Sequence, residues 1–169
     1  MLQFERTTMP YGPAENQGGN RGNFEFAFSL RRREKGVMLK IPNGLVVSSD
    51  EEVRRGLADI LVRCGLAPLF SSTVAESGSV LSRRKVFVVL SHNFLIDGGY
   101  EDIVKAVRLS DTNVPVIVVS RTGDWPDYLA AIHTGAFDYL AYPPIPGELE
   151  RIIKNAVNLF GLLQASSKR

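Results

Sequence analysis

From Leu45 onward the chain alternates between short apolar runs and stretches whose apolar residues recur at helical spacing, with brief turns between them. Leu45-Val46-Val47 predicts a short buried strand. Glu51 to Cys64 then places Val53, Leu57, Ile60 and Leu61 on one helix face, with Gly65 in position to close the helix. Ala67 to Ser71 predicts a weaker strand, and Thr73 to Arg84, with Val74, Val80 and Leu81, a weakly amphipathic helix. Val86-Phe87-Val88-Val89-Leu90 is an unbroken apolar run, the pattern of a strand covered on both faces. Gly99 to Leu109 predicts a helix through Ile103, Val104, Ala106 and Val107. Val116-Ile117-Val118-Val119, entered through Pro115, predicts another doubly covered strand. Pro126 stands in the first turn of a helix running to Thr134 and ended by Gly135. Phe137 to Ala141 predicts the last strand. Pro146 to Leu163 predicts the longest helix, with Leu149, Ile152, Ile153, Ala156, Val157, Phe160 and Leu163 on one face.

Five consecutive βα units predict an α/β fold, a five-stranded parallel sheet with helices on both faces, because each crossover is right-handed. For five strands the expected arrangement is flavodoxin-like, order 2-1-3-4-5. Ligands in such sheets sit at the carboxyl ends of the strands, where the strand order reverses. The residues expected there are Ser48 and Ser49, followed by Asp50 and Glu51; then Ser91; then Ser120; then Tyr142 and Pro143. They offer serine hydroxyls and a phenol, with no carboxylate at the centre. A divalent cation such as Mg²⁺ wants anionic oxygen ligands, so neither a metal nor a cofactor is expected. The first βα turn, Ser48-Ser49-Asp50-Glu51, also lacks a glycine-rich phosphate cradle, which argues against a nucleotide-binding enzyme.

Composition narrows the class. With 44% apolar and 22% charged residues the chain reads as an ordinary soluble globular protein, and a net charge of +2 gives little support for nucleic-acid binding. The single cysteine, Cys64, rules out an intramolecular disulfide and fits a reducing cytoplasm. No apolar run is long enough to span a bilayer, and Met1 to Asn23 lacks the order of a signal peptide, so a cytoplasmic protein without membrane contact is expected. Residues 1–42 are expected to be a disordered extension, rich in Gly, Asn, Pro and Gln around Asn16 to Gly22. Within them Phe24-Glu25-Phe26-Ala27-Phe28, followed by Arg31-Arg32-Arg33-Glu34-Lys35, is a candidate docking tail for acidic partners, weighed against a merely solvated one. Met38 is a candidate alternative start. Residues 43–164 are the expected folded domain and 165–169 a short tail, with no DNA-binding element expected after it.

The most specific segment is Gly135-Ala136-Phe137-Asp138-Tyr139-Leu140-Ala141-Tyr142-Pro143, which resembles the Gly-Ala-x-x-Tyr-Leu-x-Lys-Pro run of response-regulator receiver domains. Val116 to Ser120 looks like the family's strand ending in a switch Ser/Thr, and Ser91 to Gly99 matches the spacing from its phosphoacceptor Asp to a downstream Gly. The resemblance covers residues 44 to about 163 and implies a CheY-like fold. Its departures matter as much. The family's two metal-binding acids align with Ser48 and Ser49, its phosphoacceptor Asp with Ser91, and its phosphoryl-contacting Lys with Tyr142. Only the Ser120 hydroxyl and the switch aromatic Tyr139 remain. Aspartyl phosphorylation needs a carboxylate nucleophile, a metal and a cation, so the pocket is degenerate and no catalytic residue is expected.

The resemblance therefore implies a pseudo-receiver that signals through a protein partner. The expected surface is the fourth helix, fifth strand and fifth helix, carrying Trp125, Tyr128 and Tyr139, which is also a candidate homodimer face. The alternatives are a ligand-sensing module and a phosphorelay regulator whose acceptor is displaced to Asp50 or Asp97. His92 follows Ser91 on a strand and should face away from it, so the two are not expected to act as nucleophile and base. His133 is expected at the surface. Cys64 is expected as a small buried hydrophobe, and Trp125 as either a partner anchor or a loop-packing residue.

Overall fold

The computed structural model describes residues 41–110 and 112–166. The extension up to residue 40, including Phe24 to Lys35 and Met38, lies outside the described residues, as do the last three of the chain. In order the elements are β1 (Asn43–Val47), α1 (Glu51–Arg63), β2 (Ala67–Ser71), α2 (Val74–Arg83), β3 (Val86–His92), a hairpin of β4 (Phe94–Leu95) and β5 (Gly98–Gly99), α3 (Tyr100–Leu109), β6 (Val116–Ser120), α4 (Trp125–Thr134), β7 (Asp138–Ala141) and α5 (Glu148–Ser166). The main sheet is parallel, in the order β2-β1-β3-β6-β7. Leaving out the hairpin strands, this is the expected 2-1-3-4-5.

Alternation along each strand explains why the sheet is covered twice. Leu45 and Val47 of β1, Val89 of β3, and Val116 and Val118 of β6 point to a core layer completed by Leu81 of α2, by Ile103, Val104 and Val107 of α3, and by Ala131 of α4. Val46, Val88, Leu90, Ile117 and Val119 point the other way, onto Val53, Leu57 and Leu61 of α1 and Leu149, Ile153 and Ala156 of α5. All five residues of β6 are buried. Each fully buried Val, Leu or Ile contributes about 1.5–3 kcal/mol of apolar transfer, so these two layers, strand faces and helix faces together, supply the bulk of the apolar stabilisation.

Helix ends follow local chemistry. Asp50 caps α1 by accepting from the amides of Glu52 (3.0 Å) and Val53 (3.2 Å). At the other end Gly65 takes the left-handed conformation, φ 76°, and Leu66 N–H donates back to the Leu61 carbonyl. The structure also departs from the sequence pattern. β3 runs two residues past the apolar run, because Ser91 and His92 continue the ladder opposite Val118 and Val119. The β4–β5 hairpin follows directly. The last helix starts at Glu148 rather than Pro146, since Gly147 at φ 82° is outside helical geometry. Its last expected core residue, Leu163, is 54% exposed, and Phe160 is the last buried residue of the helix.

Candidate functional site

The parallel register brings the ends of β1, β3, β6 and β7 to one edge: Val47 is level with Ser91, Ser91 with Val118, and Ser120 with Ala141. Apart from Ser49, the serine hydroxyls gathered there are already committed. Ser48 is buried; its amide donates to the Ser71 carbonyl (3.0 Å), and its Oγ accepts from the Asp50 amide (3.1 Å). Ser49 is exposed. Ser91 is fully buried and donates to the His92 carbonyl at 3.0 Å. Ser120 accepts from Asn93 Nδ2 (3.3 Å) and the Thr122 amide (3.2 Å), and shares a hydrogen bond with Thr122 Oγ1 (3.1 Å). Asn93 and Thr122 thus belong to the site although the sequence pattern did not single them out.

Tyr142 is drawn away from this cluster. Its hydroxyl donates to the Glu52 carbonyl at 3.4 Å and rests where a β-carbon on Gly56 would stand, so Gly56 is what lets the ring lie across α1. Burial pushes the phenol's pKa up, with Glu52 and Asp50 adding to the effect. It supplies no cation.

The cation at the mouth is Arg121. Its Nη2 lies 2.6 Å from Asp50 Oδ2 and 3.9 Å from Glu52 Oε2. The Arg121 hydrogen bond, followed by the Val53 amide, holds the Asp50 carboxyl below the usual carboxylate range. In the sequence Arg121 reads as an ordinary exposed arginine; the one available signal is its place directly after a strand-end serine.

The remaining candidates separate. His92 lies on the opposite face of β3 from Ser91, as alternation requires. Among the described residues its buried Nδ1 has no hydrogen-bond partner, and burial pushes its pKa down, opposed by Asp50. Asp97 turns to α2, where it accepts from the amides of Val74 (2.8 Å) and Ala75 (3.2 Å), which hold its pKa down. Tyr139 corrects an expectation: it is 5% exposed, and its hydroxyl donates to the Thr122 carbonyl (2.7 Å) and Asp127 Oδ2 (3.3 Å), so it does not share the surface of Trp125 and Tyr128. Trp125 is 60% exposed and stacks on Tyr128 at 5.2 Å and 15°. Cys64 is buried, as expected of a small hydrophobe, and that burial raises its thiol pKa. His133 is exposed.

A divalent cation does not fit this donor set. The hydroxyls are neutral and all but that of Ser49 are engaged, the Asp50 carboxylate is paired with Arg121, and a guanidinium at the mouth repels a second cation. Among the described residues no three His, Cys, Asp or Glu side chains are grouped to hold a metal. No described helix is long and apolar enough to cross a membrane.

No family model matches the sequence. Similar proteins are nevertheless consistent in kind. The chain is 32% identical over 127 residues to the transcriptional regulatory protein PrrA of Mycobacterium tuberculosis, covering 75% of this chain and 54% of that protein. It is 30% identical over 102 residues to the photosynthetic apparatus regulatory protein RegA of Rhodovulum sulfidophilum, covering 60% of this chain and 56% of that protein. The chain thus spans about half the length of these relatives. Among solved structures, the receiver domain of Francisella response regulator 1452 superposes with a TM-score of 0.63 at 18% identity, over 70% of this chain and 98% of that one. The beryllofluoride-activated NtrC4 receiver domain dimer gives 0.64 at 23% identity, again over 70% and 98%. The sheet order, the strand-end pocket and these likenesses agree, and the chain carries a CheY-like receiver domain of the response-regulator type.

Proposed function

We propose that this receiver domain signals without aspartyl phosphorylation, through contact with a protein partner. The observation that carries the reading is the Arg121–Asp50 pair lying over a pocket of engaged hydroxyls. A receiver that takes a phosphoryl group needs a carboxylate nucleophile, a metal and a cation at the strand ends. Among the described residues no base is hydrogen-bonded to Ser91, and the Arg121 guanidinium at the mouth is matched by an internal carboxylate. A displaced acceptor is disfavoured by the same geometry. Asp50 is held by Arg121 and by the amides of α1, and Asp97 by the amides of α2. An anionic ligand would have to displace Asp50 from Arg121, which weighs against the sensor reading.

The partner surface we favour is α4, β7 and α5, where exposed Trp125 stacks on half-buried Tyr128 and Leu129 is exposed next to it. Self-association through this face is part of the same proposal, with Tyr139 left out of it. Residues 43–164 are read as the receiver unit, 1–42 as an extension and 165–169 as a tail. A cytoplasmic location goes with this reading and with a lone cysteine kept as a thiol.

The test is incubation of the full chain with acetyl phosphate and Mg²⁺, read by intact mass. The expected result is no mass gain. A stable gain of one phosphoryl group mapped to Asp50, Asp97 or Ser91 would make this a working phosphoacceptor and end the proposal.

A further inference from the structure

The β4–β5 hairpin is a separate two-stranded ladder outside the main sheet, yet it is held in place from several sides. Phe94 pairs with Gly99 and Leu95 with Gly98 in an antiparallel ladder. Before it, the Asn93 amide donates to the Val119 carbonyl (2.9 Å); after it, the Tyr100 amide donates back to the Asn93 carbonyl (3.2 Å). Leu95 packs on the core layer under α2 and α3. Asp97 at the turn caps α2, and the Gly99 amide donates to Asp102 Oδ2 at 3.2 Å. On this anchored frame Phe94 is 74% and Ile96 81% exposed. Single exposed apolar residues are ordinary on a surface. Two large ones two residues apart on a hydrogen-bonded hairpin form a contact that is already largely ordered before binding.

The hairpin and the first turns of α2 and α3 beside it carry acidic residues and no basic one, with Lys105 a turn further along α3 and Arg54 reaching Ser72 just before α2. Residues 64–82 and 86–104 contain no lysine or arginine, while Glu76, Asp97, Glu101 and Asp102 fall within them. Glu76, Glu101 and Asp102 are exposed, and none of the four is in an ion pair among the described residues. The chain as a whole is net positive, at +2, so this acidic rim is a local feature. A negative rim around an apolar centre favours a positive partner and accelerates its encounter.

We propose that the Phe94–Gly99 hairpin is a docking knob for a basic, amphipathic segment of a partner protein. Phe94 and Ile96 enter that segment's apolar face, and Glu76, Glu101 and Asp102 draw its Lys and Arg side chains. The site is separate from the α4–β7–α5 face. Because the hairpin continues directly from the strand that carries Ser91 and His92, a partner gripping it bears on the pocket edge. The proposal rests on reading this chain as a protein-docking domain, but not on the pocket's phosphoryl chemistry.

Two labelled peptides test it with the full chain: an amphipathic helix of Leu and Lys, and its counterpart with Glu in place of Lys. Binding is read by fluorescence anisotropy, and its location by amide NMR shifts. The Leu/Lys peptide is expected to bind, more weakly as salt rises, with shifts at Phe94 to Gly99; the Leu/Glu peptide is not. The double variant F94S/I96S should weaken binding by about tenfold or more while leaving the fold intact, since both side chains are exposed. The pair E76Q/E101Q should weaken it and flatten the salt dependence, and V62A, which trims an exposed apolar residue on α1, should change nothing. Absence of Leu/Lys binding, or equal binding by F94S/I96S, overturns the proposal. Shifts centred on Trp125 and Tyr128 instead would overturn this site while leaving the protein-docking reading standing.

Discussion

Arg121 Nη2 lies 2.6 Å from Asp50 Oδ2, so the end of β6 is tied to the N-cap of α1 across the pocket mouth. Asp50 thereby serves two neighbours, one with each oxygen. Because the guanidinium lowers the carboxyl's folded pKa, the pair's stabilisation is present above the ordinary carboxylate pKa and is lost as pH falls through the folded value. Arg121→Gln should move the Asp50 titration up toward the ordinary range, followed by carboxyl-carbon NMR. The stability gap between wild type and variant should close on acidification. Asp50→Ala should destabilise more than Asp50→Asn, because only the alanine removes the cap.

Ser91 is fully buried, and its hydroxyl donates to the His92 carbonyl. Restoring a carboxylate by Ser91→Asp therefore places a charge where no metal or cation is arranged to meet it. The expected loss at neutral pH is about 3 kcal/mol, in the range for an uncompensated buried charge, measured by urea unfolding. Burial raises such a carboxyl's folded pKa, so the variant is least impaired below the unfolded pKa and loses stability as pH rises through the folded one. No phosphoryl mass gain is expected for this variant either.

The Tyr139 hydroxyl holds the loop after β6 through the Thr122 carbonyl and reaches Asp127 in the first turn of α4. Tyr139→Phe keeps the buried ring and leaves both acceptors without that donor. It should cost about 1 kcal/mol and speed amide exchange in the Thr122–Asp127 segment. An unchanged exchange pattern there would show that the hydroxyl does not restrain the loop.

Burial lowers the folded pKa of His92, opposed in part by Asp50. The sign follows: stability is full above the unfolded imidazole value of about 6.5 and declines as pH falls through the folded value. The wild type should lose stability across this interval, and His92→Phe should flatten the slope, measured by chemical unfolding at a series of pH values. Parallel slopes for the two proteins would assign the effect to other groups.

What the sequence disclosed depended on repetition. Val86 to Leu90 and Val116 to Val119 are unbroken because both faces of their strands are covered, and each helix repeats its contact face several times. The hairpin has two residues per strand and so carries no period at all. Tyr139 could have been oriented by alternation, since its neighbour Leu140 packs toward α1 and α5; its expected exposure came from the family surface instead. The strand-end serines were legible from topology. Arg121 was not, because its role depends on Asp50, a residue 71 positions away whose approach only the sheet order brings about. Asp97 likewise meets α2 through tertiary contact alone.

That last contact ties the fate of two segments together. α2 is a ten-residue helix with three serines and a glycine, a poor helix by itself, and its first amides are satisfied in part by a side chain from a later element. Opening the hairpin withdraws Asp97 and leaves the amides of Val74 and Ala75 seeking water. The turn and the helix start should therefore breathe as a single local unit, well below the energy of global unfolding. Exchange at those two amides becomes a clock for the hairpin, and anything that clamps Phe94 and Ile96 should slow it from across the loop.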